Sequence, residues 1–173
     1  PASTWRGVFS IARELSLAQT EHGIRLVQKP IRELQNLRNK HNHWQSETIQ
    51  PESNLLHGIQ GEALEIAAEF QITSDMKNFG FRVRVGADEH TTISYSVEEK
   101  TLRLDRTRSG KVDFKDGFAA VHYVDLLPIN SVIRLHLFID SSSIEVFAND
   151  GLVVLTDCIF PSAQSNRLEL FAD

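Results

Sequence analysis

Apolar and polar residues alternate one for one through most of this chain, and that period of two decides its fold class. Leu64, Ile66, Ala68, Phe70 and Ile72 alternate with Glu65, Ala67, Glu69 and Gln71, and after the turn-like stretch TSDMKN, Phe79, Phe81, Val83 and Val85 alternate with Gly80, Arg82 and Arg84. Ile93, Tyr95 and Val97 repeat the pattern, as do Leu102 and Leu104. The longest clean instance sets Ile133, Leu135, Leu137 and Ile139 against Arg134, His136 and Phe138. A strand sends successive side chains to opposite faces, so each run predicts one dry face and one wet one. Further strands are predicted at Val8 to Leu17, Ile24 to Gln28, Leu152 to Phe160 and Arg167 to Phe171. Only Pro30 to Asn39 has helical character, with a proline at a plausible first position and Ile31, Leu34 and Leu37 spaced by three. About ten short strands and one short helix predict an all-β protein, a two-layer antiparallel β-sandwich of the jelly-roll or lectin-like kind.

A length of 173 residues suits a single domain over 1–173, with no internal repeat or linker. A chain of that size buries roughly 70% of the surface its unfolded form exposes, so the core needs no staple. No apolar run approaches the roughly 18 residues of a membrane-spanning helix, and a membrane role is not expected. The net charge of −5 comes with scattered rather than clustered Lys and Arg, which argues against nucleic acid as a partner. The single cysteine, Cys158, excludes an intrachain disulfide and any multi-cysteine metal site; in VVLTDCIF it reads as a small buried hydrophobe rather than a nucleophile. No cofactor is implied.

The segment IDSSSIEVFANDG, Ile139 to Gly151, gathers Asp140, Glu145 and Asp150 in an otherwise apolar or small run, and three carboxylates so close could be acid/base machinery. Strand alternation gives one face to Ile144, Val146 and Ala148 and the other to Glu145 and Phe147, so Glu145 is expected to point away from the core. Asn149-Asp150-Gly151 between two apolar runs is a tight-turn signal, because these residues tolerate positive φ. Asp140 beside three serines is placed where the chain redirects. The structural reading is preferred to the catalytic one at all three.

Five segments in order, TWRGVFSIARELSL, LVQKPIRELQNLR, LLHGIQGEALEIAAEF, LRLDRTRSGKVDF and HLFIDSSSIEVFANDGLVVLTDCIFPS, resemble the C-terminal β-sandwich of glycoside hydrolase family 32, the levanases, inulinases, fructanases and invertases. The resemblance runs from about Thr4 to the end of the chain. It implies a non-catalytic sandwich that stabilises and docks onto a five-bladed catalytic propeller absent from this sequence, with a parent enzyme cleaving β-fructosidic bonds in levan, inulin or sucrose. Family chemistry uses two carboxylates about 5 Å apart, in Asn-Asp-Pro-Asn-Gly and Glu-Cys motifs, with a supporting Arg-Asp-Pro. None of the three is present, and the nearest strings, Asn149-Asp150-Gly151, Asp105-Arg106 and Asp157-Cys158, already have places in strands or turns. An extracellular or cell-surface parent is preferred, a cytoplasmic one being the alternative.

The chain opens PASTWRG, without an initiator Met or a leader, and is expected to be a piece of something longer, with 1–7 as the junction to the propeller. Trp5 and Arg6 follow directly on that junction and are domain-interface candidates. Arg13 is a third, because its strand face is shared by Phe9, Ile11, Leu15 and Leu17. A buried arginine there must pair with a carboxylate or lie under another domain. Trp44, in the polar loop RNKHNHWQSET, either covers an edge of the core or stacks on a sugar ring, in which case the chain would be an independent module recognising fructan. His41 and His43 have a His-x-His spacing, but no third metal ligand is identifiable.

Overall fold

A computed structural model describes residues 8–50 and 54–173, so Trp5 and Arg6 lie outside the described residues. The described chain is almost entirely strands: β1 (Arg13–Thr20), β2 (Gly23–Pro30), β3 (Leu64–Gln71), β4 (Asn78–Val85), β5 (Thr91–Ser96), β6 (Thr101–Asp105), β7 (Val121–Asp125), β8 (Val132–Ile139), β9 (Ser143–Ala148), β10 (Val153–Cys158) and β11 (Arg167–Ala172). Every pairing between them is antiparallel. One sheet has the order β10-β9-β8-β3, a second the order β11-β4-β5-β6-β7, and β1 and β2 form a two-stranded sheet of their own. β3 and β4, adjacent in sequence, therefore lie in different layers, and the stretch between them crosses from one sheet to the other.

The register explains why the layers close. In the four-stranded sheet Leu64, Ile66, Ala68 and Phe70 stand opposite Ile139, Leu137, Leu135 and Ile133, and those β8 residues meet Ile144, Val146 and Ala148 on β9. All present one face, as the alternation predicts. The five-stranded sheet answers with Phe79, Phe81 and Val83 of β4, Ile93 and Tyr95 of β5, Leu102 and Leu104 of β6, and Leu168 and Leu170 of β11. Aromatic rings interdigitate across the gap: Phe70 lies 4.4 Å from Phe79 and 5.7 Å from Phe81, ring centre to ring centre. The one polar tip in this core is provided for, because the fully buried Tyr95 hydroxyl donates to the Leu126 carbonyl at 2.9 Å.

Three local expectations are corrected and one strand is added. The first strand begins at Arg13 rather than Val8, and Leu15 and Leu17 on it stay 62% and 73% exposed, so its apolar face is no part of this core. The helix expected at Pro30 to Asn39 is a 3-10 helix over Arg32–Leu37 with no buried residue. Its three-residue spacing is the 3-10 period itself, which eclipses Ile31, Leu34 and Leu37 instead of spreading an α-helical stripe. Arg84, placed on the wet face, is 2% exposed: its φ of +52° marks a bulge where β4 carries an extra residue against β11, and the side chain turns inward to donate to the carbonyls of Glu62 and Ser162. β7 gave no recognisable pattern because it is a five-residue edge strand whose Val121, His122, Tyr123 and Asp125 are all exposed.

Candidate functional site

The inward face of the four-stranded sheet is the core; the outward face carries two paired glutamates. Pairing sets Glu65, Phe138, Glu145 and Thr156 in one cross-strand row and Ala67, His136, Phe147 and Val154 in the next. A sheet face open to water would leave such residues wet. Here Glu145 is only 3% exposed and Phe147 2%. The side-chain direction inferred for Glu145 is right, but its expected exposure is corrected: the chain from Ile11 onward lies on top of it.

The contact is built around the carboxylate. The Ile11 N–H donates to Glu145 Oε1 at 2.6 Å, and Arg13 Nη2 donates to Oε2 at 2.5 Å. Arg13 Nη2 also reaches Thr156 Oγ1 at 2.7 Å, Nη1 reaches Gln28 Oε1 at 3.0 Å, and the guanidinium carbon lies 5.2 Å from the centre of the Phe147 ring. Arg13 thus ties β1, β2, β9 and β10 together and places its flat cation against an aromatic face. Of the two fates open to a buried arginine on this strand, pairing with a carboxylate is the one observed. Gly151 makes the approach possible: its φ is +90°, and a Cβ there would sit 2.0 Å from the Gln28 carbonyl oxygen.

The next glutamate in the row is held by a second arginine. Arg38, just past the 3-10 helix, donates through Nε and Nη2 to the two oxygens of Glu65, both at 2.6 Å, and His136 Nε2 lies 2.7 Å from Oε1. The hydrogen bonds from Arg38, and then from His136, hold the Glu65 carboxyl below its usual range despite partial burial. The His136 ring packs 4.6 Å from Phe138, which meets Phe147 edge-on at 6.0 Å.

The remaining candidates fall elsewhere. Asp150 sits at the tip of the β9–β10 hairpin with φ +59°, flanked by Asn149 and Gly151, also at positive φ. The Asn149 side chain is buried and fixes the loop by accepting from the Arg134 N–H and donating to the Leu127 carbonyl. Asp140 accepts from the Ser141 N–H at 2.7 Å. Cys158 is half-buried, and its neighbour Asp157 joins the edges of the two main sheets through His122 at 2.7 Å and Arg106 at 3.2 Å. His41 and His43 stand 6.2 Å apart, and no group of three metal-ligating side chains occurs among the described residues. Trp44 is 39% exposed. Pattern reading missed the Arg38–Glu65–His136 group, whose one available signal was an acidic residue and a histidine on wet positions of strands that later pair.

Further along the β1–β2 hairpin, on the face that carries Arg13 and Gln28, apolar residues are uncovered. Leu17 stands opposite Leu26, and Leu15 and Ile24 extend the same face; their exposures run from 49% to 73%, while Phe9 just upstream is 99% exposed.

A family model described as glycosyl hydrolases family 32 C terminal matches residues 33–173. The chain is 41% identical to a levanase of Bacillus subtilis over 175 residues, which is 99% of this chain and 26% of the levanase. It superposes on the exo-inulinase of Aspergillus awamori with a TM-score of 0.90 at 30% identity, covering 98% of this chain and 34% of that one. The fructan 1-exohydrolase IIa of Cichorium intybus has the same fold, with a TM-score of 0.73 at 21% identity over 91% of this chain. The chain therefore spans about a third or less of the length of the first two.

Two measurements test the anchoring of the outer face. Arg13→Met leaves the Glu145 charge buried without its cation and is expected to cost about 3–5 kcal/mol in urea denaturation, whereas Arg13→Met combined with Glu145→Leu recovers most of that loss; additive losses would show that the pair is not coupled. Because the Glu65 carboxyl is lowered in the folded state, its contribution is present above the usual value of 4.5 and is lost as the pH falls through the folded value. Glu65→Gln should therefore destabilise the protein at neutral pH and have a shrinking effect as the solution is acidified.

Proposed function

The chain belongs to the family of C-terminal domains of family 32 glycosyl hydrolases, and we propose that it is the non-catalytic sandwich of a fructan-cleaving enzyme, docked onto a catalytic propeller in the same parent chain. The observation that carries the proposal is the bare apolar face of the β1–β2 hairpin. That hairpin precedes the residues matched by the family model, pairs with no strand of the sandwich and is held to it through Arg13 and Glu145. Leu15, Leu17, Ile24 and Leu26, each about half to three-quarters exposed, would each gain about 1–2 kcal/mol on burial of the area still open, so a partner surface is worth several kcal/mol in all. Trp5 and Arg6, a few residues upstream, belong to the same docking surface on this reading, and Arg13 is its internal anchor.

Catalytic groups are assigned to the propeller. Glu145 has an oxygen committed to Arg13 and the other to the Ile11 N–H, and Asp150 serves a turn, so neither is free to attack a glycosidic carbon. The relatives named levanase and exo-inulinase suggest fructans as substrates of the parent, and those named as extracellular suggest secretion.

In the longer parent, Trp5→Ala or Leu17→Asp is expected to lower the melting temperature and split one calorimetric transition into two; unchanged stability and cooperativity would end the docking role. The 173-residue chain alone should release no fructose from levan, inulin or sucrose in a reducing-sugar assay. Turnover abolished by Glu145→Gln would return catalysis to this domain.

A further inference from the structure

The turn between β4 and β5, the stretch 107–110 after β6 and the stretch 162–167 leading into β11 meet at one end of the five-stranded sheet and enclose a pocket of about 720 Å³. That volume is within the roughly 300–1,000 Å³ of small-molecule sites, and the three segments are locked together before anything binds. Glu89 Oε1 accepts from the Ser162 N–H at 2.7 Å and from the Ser165 hydroxyl. Ser165 is 1% exposed and packs where a Cβ on Gly86 would lie 2.2 Å from its Oγ. Arg108 Nη2 donates to the Asp88 carbonyl at 3.1 Å and Arg167 Nη2 to the Gly86 carbonyl at 2.8 Å, so two guanidiniums from different segments are fastened to a single turn.

The charges narrow the ligand. Among the described residues, the arginines without an ion pair are Arg25, Arg84, Arg108 and Arg167, and the last three gather at this end of a chain whose net charge is −5. Arg84, 2% exposed, donates to the Ser162 carbonyl, and its charge acts on Glu89. Glu89 is thereby answered, which leaves Asp88 as the one uncommitted carboxylate of the lining. Arg108 and Arg167 are both exposed and spend one and two N–H groups on backbone carbonyls, so most of their donors are free. A planar carboxylate is satisfied by one guanidinium fork, whereas a phosphate monoester presents three oxygens and close to two negative charges, enough for two forks from separate segments. We propose that this pocket binds a small phosphate monoester, with Arg108 and Arg167 holding the phosphate and the neutral remainder lying beside Gln164. The site does not depend on the docking proposed above, since none of its residues belongs to β1 or β2.

The test is a calorimetric titration of the 173-residue chain with glycerol 3-phosphate, inorganic phosphate, acetate and glycerol, at constant ionic strength and about pH 7.5, above the second phosphate pKa of about 6. Saturable binding of glycerol 3-phosphate is expected, tighter than that of inorganic phosphate and at least tenfold tighter than that of acetate, with none for glycerol. Arg108→Gln and Arg167→Gln should each weaken it tenfold or more. Arg25→Gln, which removes an unpaired arginine on β2, should leave it unchanged, and Asp88→Asn should tighten it. Circular dichroism establishes that each variant is folded; if either pocket arginine proves necessary for folding, Asp88→Asn and Arg25→Gln still decide. Absence of saturation at millimolar phosphate ester, a loss from Arg25→Gln equal to that from the pocket variants, or unchanged affinity in Asp88→Asn would overturn the site. Equal affinity for acetate or for inorganic phosphate would overturn the assignment to a phosphate monoester.

Discussion

A carboxylate buried in the middle of a sheet face has to be paired, and in this protein Glu145 sets the position of everything that precedes the sandwich. Unpaired, the charge at 3% exposure would cost several kcal/mol. Its partners come from chain positions more than 130 residues away, the Ile11 N–H and the Arg13 guanidinium. Satisfying them draws the first described residues across the β9–β10 edge and lays β2 against the turn that contains Gly151. The absence of a Cβ at that turn follows from the same requirement, since the Gln28 carbonyl occupies the space a Cβ would need. Leu15, Leu17, Ile24 and Leu26, on the same strand face as Arg13 and Gln28 but further along the hairpin, are left exposed. An ion pair under a hairpin contributes little net stability over an apolar substitute, but it tolerates only one placement.

The two faces of the four-stranded sheet therefore divide the labour. The inner face is specified by volume and apolarity, through residues such as Leu137, Ile139 and Val146, and any well-packed set of similar size would serve. The outer face is specified by charge. Glu65 and Glu145 stand in one row on either side of Phe138, each held by an arginine from the segment before β3. Arg38 and Arg13 thereby set how the preceding chain lies over the sheet. At the opposite edges of the sandwich, Asp157 with Arg106 and His122 joins β10 to β7 by the same means.

How much of this was legible in the sequence follows from what alternation can encode. It located β3, β4, β5, β6, β8 and the β9–β10 hairpin, because there each apolar residue meets another across the register and nothing local competes. It failed where an extra residue breaks the count, as at Arg84, whose left-handed backbone turns a wet-face position inward. It also failed at the first strand, whose apolar face nothing among the described residues covers. The alternation of Phe9, Ile11, Leu15 and Leu17 looks like that of any core strand, yet Leu15, Leu17 and Phe9 are exposed. Periodicity reports that a face is meant to be covered; it does not report by what.

The same limit explains why Glu145 was read as solvated and the Arg38–Glu65–His136 group was not seen at all. Both depend on pairings between residues far apart in the chain, and a glutamate on a wet-face position has the same local signature whether water or an arginine covers it. The distinction between the two kinds of outward glutamate emerges only from what is stacked above them. Above Glu145 the backbone itself donates, so that carboxylate is sealed and serves the architecture. Above Glu65 only side chains arrive, from a half-exposed arginine and a partly exposed histidine, so unspent donors remain facing open space. Two glutamates one strand apart from Phe138 on either side thus differ through the depth of their cover, the sealed one joining pieces of chain and the open one held by side chains alone.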